Sequence, residues 1–241
     1  MAYLFHVAVY QPIYNALAFL IGLVPGGDVG IGIIGITLLV RFILFPVSLS
    51  AIRTQIEMRR IDPKLKALRE EFKADKQELG KKTMELFREH KINPLSGFLL
   101  VLIQLPIIIG LYTVLRSEAK TVYFDPSVLY PFVHAPAHAS LLFLNSLDLT
   151  GKSVLLAGIA ALTQFLYAKL LATPKAIKPA SGGSFQEDFA SSMQMQMQYI
   201  FPIVLGAIAY FASAAIALYF VTSNIFSVLQ ELVVQRIHGK R

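Results

Sequence analysis

The sequence predicts an all-α membrane protein with five transmembrane helices, an N-terminal interfacial amphipathic helix and a cytoplasmic helical hairpin. Hydrophobic residues make up 55% of the 241 residues and charged residues only 15%, against about 25% in an average soluble protein. Mean hydropathy is +0.59. The charges are also concentrated, because twelve of the 22 lysines and arginines and eight of the 15 acidic residues lie between Arg53 and Lys91. Long segments almost free of charge remain on both sides, as membrane spans require.

The net charge of +7 is explained by basic loops on the cytoplasmic side of a membrane. We therefore expect no specific nucleic acid as a partner. The chain has no cysteine, so it forms no disulfide and the redox compartment cannot be inferred. We expect no cofactor.

Residues 1–28 are predicted to form an interfacial helix. The segment Tyr3–Val24 is apolar, but polar side chains recur every four or five residues and Pro12 interrupts it. This pattern favours an amphipathic helix in the membrane interface, although about 20 apolar residues would also suffice for a span. The segment lacks the basic start of a signal peptide, and Pro25–Asp28 ends it. The polar positions are His6, Tyr10, Gln11, Tyr14 and Asn15.

The rest of the chain alternates between apolar runs and polar connections. The turn between the last two runs is placed at Ala212–Ala215, which contains no strong helix breaker. The predicted segments are TM1 at 29–52, a cytoplasmic helical hairpin at 53–92, TM2 at 93–116, an extracytoplasmic loop at 117–152, TM3 at 153–173, a cytoplasmic loop at 174–197, TM4 at 198–212, TM5 at 214–235 and a cytoplasmic tail at 236–241.

The charged segment 53–92 is predicted to form two antiparallel helices. Asp62 and Pro63 have the residue types of an N-cap followed by proline at the first helical position. Two short apolar stripes meet near Ala74 and Asp75, which favours a hairpin. A single long helix is the alternative.

The loop charges predict the orientation. The segment 53–91 carries the most basic residues and should be cytoplasmic. The loop 116–151 has two basic and three acidic residues, so it should face outward. The N-terminus is then outside and the C-terminus is in the cytoplasm.

Arg41 is the most informative residue, because it is a charge within an apolar run. Twelve apolar residues precede it, which places it about 18 Å along a helix, near mid-bilayer. A central arginine costs about 2.5–3.5 kcal/mol on insertion scales. Snorkelling to the interface and a structural ion pair are the alternatives to function, but the spans contain no carboxylate except Glu231. We expect Arg41 to face a water-accessible pocket.

The other spans supply uncharged polar residues for the same pocket. Each one alone is more often an interhelical hydrogen-bonding group than a functional one. Together with an unpaired arginine they favour a hydrophilic groove for substrate. The candidates besides Arg41 are Gln104, Thr113, Thr163, Gln164, Thr222, Ser223, Asn224, Ser227 and Gln230.

No catalytic motif is present in the sequence. The five histidines lie at ends or in loops, and neither HExxH nor a phosphate-binding GxxxxGK[ST] occurs. We therefore do not expect an enzyme or a metal site.

Five segments, in this order, resemble the YidC family of membrane protein insertases. Together they extend over nearly the whole chain. They are GIGIIGITLLVRFILFPVSL at 30–49, IDPKLKALREEFK at 61–73, NPLSGFLLVLIQLPIIIGLYTVLR at 93–116, YIFPIVLG at 199–206 and LYFVTSNIFSVLQ at 218–230.

The resemblance implies a five-helix core with a cytoplasmic hairpin and a hydrophilic groove open to the cytoplasm and the lipid. It implies that Arg41 attracts acidic groups of a translocated segment and that the hairpin is a mobile element at the groove mouth. We expect a bacterial inner-membrane form without the large periplasmic domain of many members. The chain differs from the family pattern at Phe98, Phe220 and Glu231.

The function implied is insertion and folding of nascent membrane proteins in the lipid bilayer. The Sec translocon and the ribosome are further candidate partners, although no long basic C-terminal tail is present to hold a ribosome. A Sec-associated assembly factor without independent insertion is the alternative. A small-solute transporter is less favoured, because inverted repeats are not found and the one acidic residue of the spans, Glu231, is near the end of the last one.

Overall fold

A computed structural model describes residues 2–73, 75–93, 96–118, 124–171 and 195–238. The described chain is mostly helical, and the exceptions to the all-α prediction are two strands of two residues each. The helices are α1 (Ala2–Phe5), α2 (Gln11–Leu23), α3 (Val29–Ile43), α4 (Phe45–Glu71), α5 (Lys76–Glu89), α6 (Ser96–Glu118), α7 (Val154–Leu171), α8 (Phe201–Ala212) and α9 (Ala214–His238), with π-helical turns at His6–Tyr10 and Gln196–Ile200 and an antiparallel pair β1 (Leu142–Phe143) and β2 (Leu147–Asp148).

By length and composition, two helices of the described chain can cross a membrane. They are Tyr3–Leu23 and Ala214–Ile237, and α3 with α4 forms a third if the bent pair is one span. The remaining apolar helices are shorter, at Leu102–Leu115, Val154–Leu170 and Gln198–Ala212. These lengths support an integral membrane protein, and the count of five spans stays a prediction.

The first predicted span is not straight. α3 ends at Ile43 and α4 begins at Phe45, with an angle of 63° between the two helices. Pro46 lies in the first turn of α4 and has no N–H to donate to the carbonyl group of Phe42, so a continuous helix would lose that bond. α4 then continues to Glu71, through the predicted boundary at 52.

The prediction that a helix starts at Asp62 and Pro63 is wrong. Both residues lie inside α4, where the Asp62 carboxylate pairs with the Lys66 ammonium instead of capping a helix. An interior proline costs about 3 kcal/mol, but α4 passes through it because apolar residues on both sides are buried against α5. This small core consists of Ile61, Leu65, Leu86 and Ile92.

A side chain caps the start of α5, directly after the connection from α4. The Asp75 carboxylate accepts hydrogen bonds from the backbone N–H groups of Gln77 and Glu78, both at 3.0 Å, and this satisfies two unpaired donors of α5. Lys64, in the second half of α4, lies 3.4 Å from the ring of His90, which follows α5, so α5 runs back along α4 and the two helices are antiparallel. Their cytoplasmic location stays a prediction.

Two polar residues of the N-terminal stripe lie against protein, and the interfacial location of the helix stays a prediction. Tyr14 and Asn15 are buried. The Tyr14 hydroxyl accepts a hydrogen bond from the Asp125 N–H at 2.6 Å, and the Asn15 amide pairs with the backbone of Val128 at 3.1 Å and of Tyr130 at 2.6 Å. Contact with the loop that precedes the strands therefore accounts for Tyr14 and Asn15, whereas His6, at the start of the stripe, is exposed.

The break between α8 and α9 is a single residue, Ser213, within the segment expected to turn. Its backbone is extended, with φ 177° and ψ 166°. The N–H groups of Ala214 and Ala215 donate to the carbonyl groups of Gly151 at 2.7 Å and Leu149 at 3.0 Å. The loop before α7 therefore caps α9.

The main core places α9 at the centre of the helices. α9 packs against α3, α4, α6, α7 and α8. Its first turns, at Ala214–Phe220, are buried. The polar residues further along α9 consequently meet side chains from several other helices.

Candidate functional site

Four polar residues of α9 lie on one face of the helix. Tyr219, Ser223, Ser227 and Gln230 follow one another at intervals of four, four and three residues, and residues at these intervals share a face. All four are buried, with exposed fractions between 2% and 7%. The face forms the centre of the candidate site, and Tyr219 was not among the predicted residues.

Arg41 of α3 binds this face through a hydroxyl group. Its Nε donates to Ser223 Oγ at 2.9 Å, and its Nη2 also donates to Ser223 Oγ. Ion pairs between described residues lie within α4 and α5, not at Arg41. The positive charge of Arg41 therefore has a neutral acceptor within the described chain, in place of the structural ion pair considered from the sequence.

Two further contacts bring α6 and α4 to the same face. The Gln104 amide donates to the Tyr219 hydroxyl. The Gln230 amide donates to Ser48 Oγ at 2.6 Å, and Ser48 Oγ donates to the Phe45 carbonyl at 2.9 Å. Ser48 was not among the residues predicted from the sequence.

Asn224 joins α9 to α7 on an adjacent face. Its amide donates to the Ala160 carbonyl and to Thr163 Oγ1, both at 3.2 Å. Gln164, the next residue of α7, is buried with 7% of its surface exposed. These contacts make α7 a second wall of the site beside α9.

The remaining predicted residues bond within their own helices. Ser227 Oγ donates to the Ser223 carbonyl at 2.9 Å. Thr113 Oγ1 contacts the carbonyl groups of Ile109 and Gly110 at 2.9 and 2.8 Å. Thr222 Oγ1 likewise donates to the carbonyl group one turn earlier. Among the described residues Thr113 makes no hydrogen bond to the α9 face, whereas Ser227 lies on it.

A buried ionisable residue directly follows the polar face, about two turns before the end of α9. Glu231 is fully buried, and its Oε1 accepts a hydrogen bond from the Gln235 amide at 2.7 Å. Among the described residues its Oε2 has no hydrogen-bond partner, and neither has Nε of Arg59 in α4. Arg59 Nη2 donates to the Leu170 carbonyl at the end of α7. Arg59 and Glu231 interact electrostatically, so these two ionisable residues lie where α4, α7 and α9 meet.

The arrangement can bind and orient a charged group. One cation is held by a hydroxyl, and amide and hydroxyl groups from α4, α6 and α7 surround the α9 face. Nothing in this set combines a nucleophile with a base, so the chemistry that it supports is electrostatic attraction and hydrogen bonding.

Comparison with known proteins identifies the family. The family model described as 60Kd inner membrane protein matches residues 20–241. A protein from Fusobacterium nucleatum, named membrane protein insertase YidC, is 32% identical over 95% of this chain and 97% of its own length. Insertases YidC from Polynucleobacter asymbioticus and Francisella tularensis subsp. novicida are 29% and 31% identical, over 96% and 87% of this chain. The chain spans about a third of these two proteins, at 36% and 33% of their lengths. It therefore belongs to the inner-membrane protein family of the YidC insertases, as the ordered sequence segments had predicted.

Proposed function

We propose that this chain is a membrane protein insertase that receives nascent proteins in a hydrophilic groove open to the cytoplasm and the lipid. The single observation that carries the proposal is the contact of Arg41 with Ser223 within the polar face of α9. Family membership and the similarity to proteins named membrane protein insertase support it. The groove residues proposed are those of the candidate site, including Gln104, Gln164 and Asn224.

Arg41 would attract acidic groups in the translocated segment of a substrate. A hydroxyl acceptor leaves its charge unbalanced, whereas a carboxylate offers two oxygen atoms and a charge-assisted pair of hydrogen bonds. An incoming carboxylate should therefore displace Ser223. Since removing a charge from water is costly, the surrounding amides and hydroxyls of the groove would lower the cost for both partners.

Short helices support a shortened path across the membrane. The apolar helix Gln198–Ala212 has 15 residues, or about 22 Å at 1.5 Å per residue. A bilayer core is about 30 Å thick. A polar segment that starts from the groove would therefore cross less hydrocarbon than a full bilayer, and burial of the substrate helix in lipid, at about 25 cal/mol per Å² of apolar surface, would drive its release.

The contact between α2 and the loop supports the outer, interfacial location of the N-terminal helix. Tyr14 and Asn15 lie near the middle of the segment Ala2–Leu23 and bond to the backbone of the irregular segment 125–130. If α2 crossed the membrane, this irregular backbone would lie near the bilayer centre, where such structure is disfavoured. With α2 on the outer surface, the loop and the N-terminus are both outside, five helices cross and the C-terminus is cytoplasmic.

The hairpin of α4 and α5 would lie at the cytoplasmic mouth of the groove and meet arriving chains. The nascent protein and the bilayer are the proposed partners. The Sec translocon and the ribosome are proposed only as further partners in delivery.

The experiment is insertion into vesicles of pure lipid that contain the purified protein. Two substrates are compared, one with acidic residues in its translocated tail and one with a neutral tail of equal length. Arg41→Ala should reduce insertion of the acidic substrate more than of the neutral one, and Arg41→Lys should retain much of it because the charge remains. Arg53→Ala, which also removes one positive charge but at an exposed position of α4, is the matched control.

Two outcomes would contradict the proposal at different points. Equal effects of Arg41→Ala on both substrates would refute the electrostatic role of Arg41. If the unaltered protein inserted neither substrate without a translocon, the chain would instead be a Sec-associated assembly factor.

A further inference from the structure

The hairpin of β1 and β2 has an apolar residue at its tip in a conformation that leucine rarely adopts. Leu142 pairs with Asp148 and Phe143 with Leu147, so residues 144–146 form the turn. Leu144 has φ 50° and Asn145 has φ 58°. Asparagine is common in this left-handed region, whereas a bulky apolar residue is not. Leu144 is nevertheless 62% exposed.

Asp28 fixes the tip to the beginning of α3. Its Oδ1 accepts from the N–H groups of Gly30 at 2.7 Å and Ile31 at 3.2 Å, and its Oδ2 accepts from the Leu144 N–H at 2.8 Å. A Cβ atom at Gly30 would lie 2.2 Å from the Phe143 ring, so Phe143 packs directly on the α3 backbone. Phe143 points inward and Leu144 is left outside.

The other end of the hairpin is attached to the beginning of α9. The carbonyl groups of Leu149 and Gly151 accept the first N–H groups of α9. The hairpin therefore lies level with the ends of two apolar helices. The ends of membrane helices lie close to the boundary between hydrocarbon and headgroups.

Neighbouring side chains are typical of that boundary. The Lys152 ammonium lies 5.6 Å from the centre of the Tyr210 ring and 5.4 Å from that of Phe211. A lysine above aromatic rings at a helix end is typical of a membrane interface. Val154 and Leu155, which follow on α7, are each 73% exposed, as expected of lipid-facing residues. The hairpin therefore lies level with the edge of the apolar, lipid-facing surface of the helices.

We propose that Leu144, with the 48% exposed Leu142, inserts into the lipid at the headgroup boundary and anchors the loop between α6 and α7. A turn that faced water would favour glycine or asparagine at position 144, and lipid contact gives leucine a reason to be there. In the orientation proposed above, this lipid belongs to the outer leaflet. The lipid contact itself does not depend on that orientation.

The chain has no tryptophan, so one introduced residue reports alone. Leu144→Trp is placed in vesicles of ordinary phospholipid and of phospholipid brominated near the headgroup or near the chain end. We expect blue-shifted emission and strong quenching by bromine near the headgroup. Ser146→Trp, in the same turn with a polar native side chain, is the matched control and should be quenched less.

Emission typical of water, with no more quenching than at position 146, would overturn the proposal. The same holds if position 144 became shielded only when a protein partner was added. If the bulky tryptophan prevents folding, Leu144→Cys labelled with a nitroxide replaces it, since the chain has no other cysteine; the label should then be more accessible to oxygen than to a water-soluble nickel complex. Neither measurement involves a substrate, so failure here leaves the insertase proposal intact.

Discussion

Replacing Asn224 with alanine should weaken the contact between α7 and α9 and lower the free energy of unfolding by a small, measurable amount. The change removes two interhelical hydrogen bonds, to the Ala160 carbonyl and to Thr163 Oγ1, each 3.2 Å long. Both acceptors keep other partners, because the Ala160 carbonyl lies within α7 and Thr163 Oγ1 also bonds to the Ile159 carbonyl at 2.8 Å. No buried group is left unpaired, so the cost is that of the two bonds.

Interhelical hydrogen bonds in membranes contribute about 0.6 kcal/mol on average and about 1.7 kcal/mol at most. Asn224→Ala should therefore lower the free energy of unfolding by about 1–3 kcal/mol. Thr163→Val removes one of the two bonds and keeps the side-chain shape. In a double-mutant cycle the two changes should couple by about 0.6 kcal/mol.

The assay is reversible unfolding of the purified protein in bicelles, measured by steric trapping. Thr222→Val is the matched control, because the Thr222 hydroxyl bonds only to the Leu218 carbonyl of its own helix among the contacts described. It should not couple to Thr163→Val. Additive effects of Asn224→Ala and Thr163→Val would refute the interhelical bond, as would an Asn224→Ala variant as stable as the unaltered protein.

Three further predictions concern packing and the outer loop. Gly206→Val should destabilise the protein by about 1–3 kcal/mol, because the new Cβ would lie 2.8 Å from a Cβ of α7; Gly158→Val, with open space at its Cβ, should lose little in the same unfolding assay. Hydrogen bonds from Thr150 hold the pKa of Asp148 below its ordinary value of 3.8, so their stabilisation is complete above that value and is lost as the pH falls through the lowered pKa. The Asp148→Asn variant should accordingly lose less stability than the unaltered protein between neutral and acid pH, as measured by thermal unfolding. Equal losses would contradict this reasoning. Asn15→Ala should expose the loop before the strands to protease, because it removes the acceptor of the Tyr130 N–H at a cost of about 1–3 kcal/mol, while the Val128 carbonyl keeps its bond from the Gln11 amide; an unchanged cleavage rate would show that the loop is held by other contacts.

Two features of α4, its start and its continuation through Pro63, differ from the sequence prediction. Asp62 and Pro63 carry a strong local signal for a helix start, but burial of Ile61 and Leu65 against α5 overrides it. Proline is also a local signal for a helix break, but no break was predicted at Pro46, and the chain bends there. The packing around a residue thus determines whether a local preference of a few kcal/mol is followed.

The turn at Ser213 had no local cause in sequence. Neither glycine nor proline lies at 212–215. The helix ends because carbonyl groups of Leu149 and Gly151, more than 60 residues earlier, accept the N–H groups that begin α9. Only the folded loop supplies these acceptors.

The membrane class, the family and the unusual charge of Arg41 were determined by the sequence alone. These properties depend on hydrophobic length and on the cost of a charge in lipid, which are local quantities. The tertiary structure alone decided that Arg41 meets Ser223, 182 positions away, and that Gln104 and Gln230 meet Tyr219 and Ser48. Such pairs depend on how each helix is rotated against its neighbours, and that rotation is set by packing across the whole core.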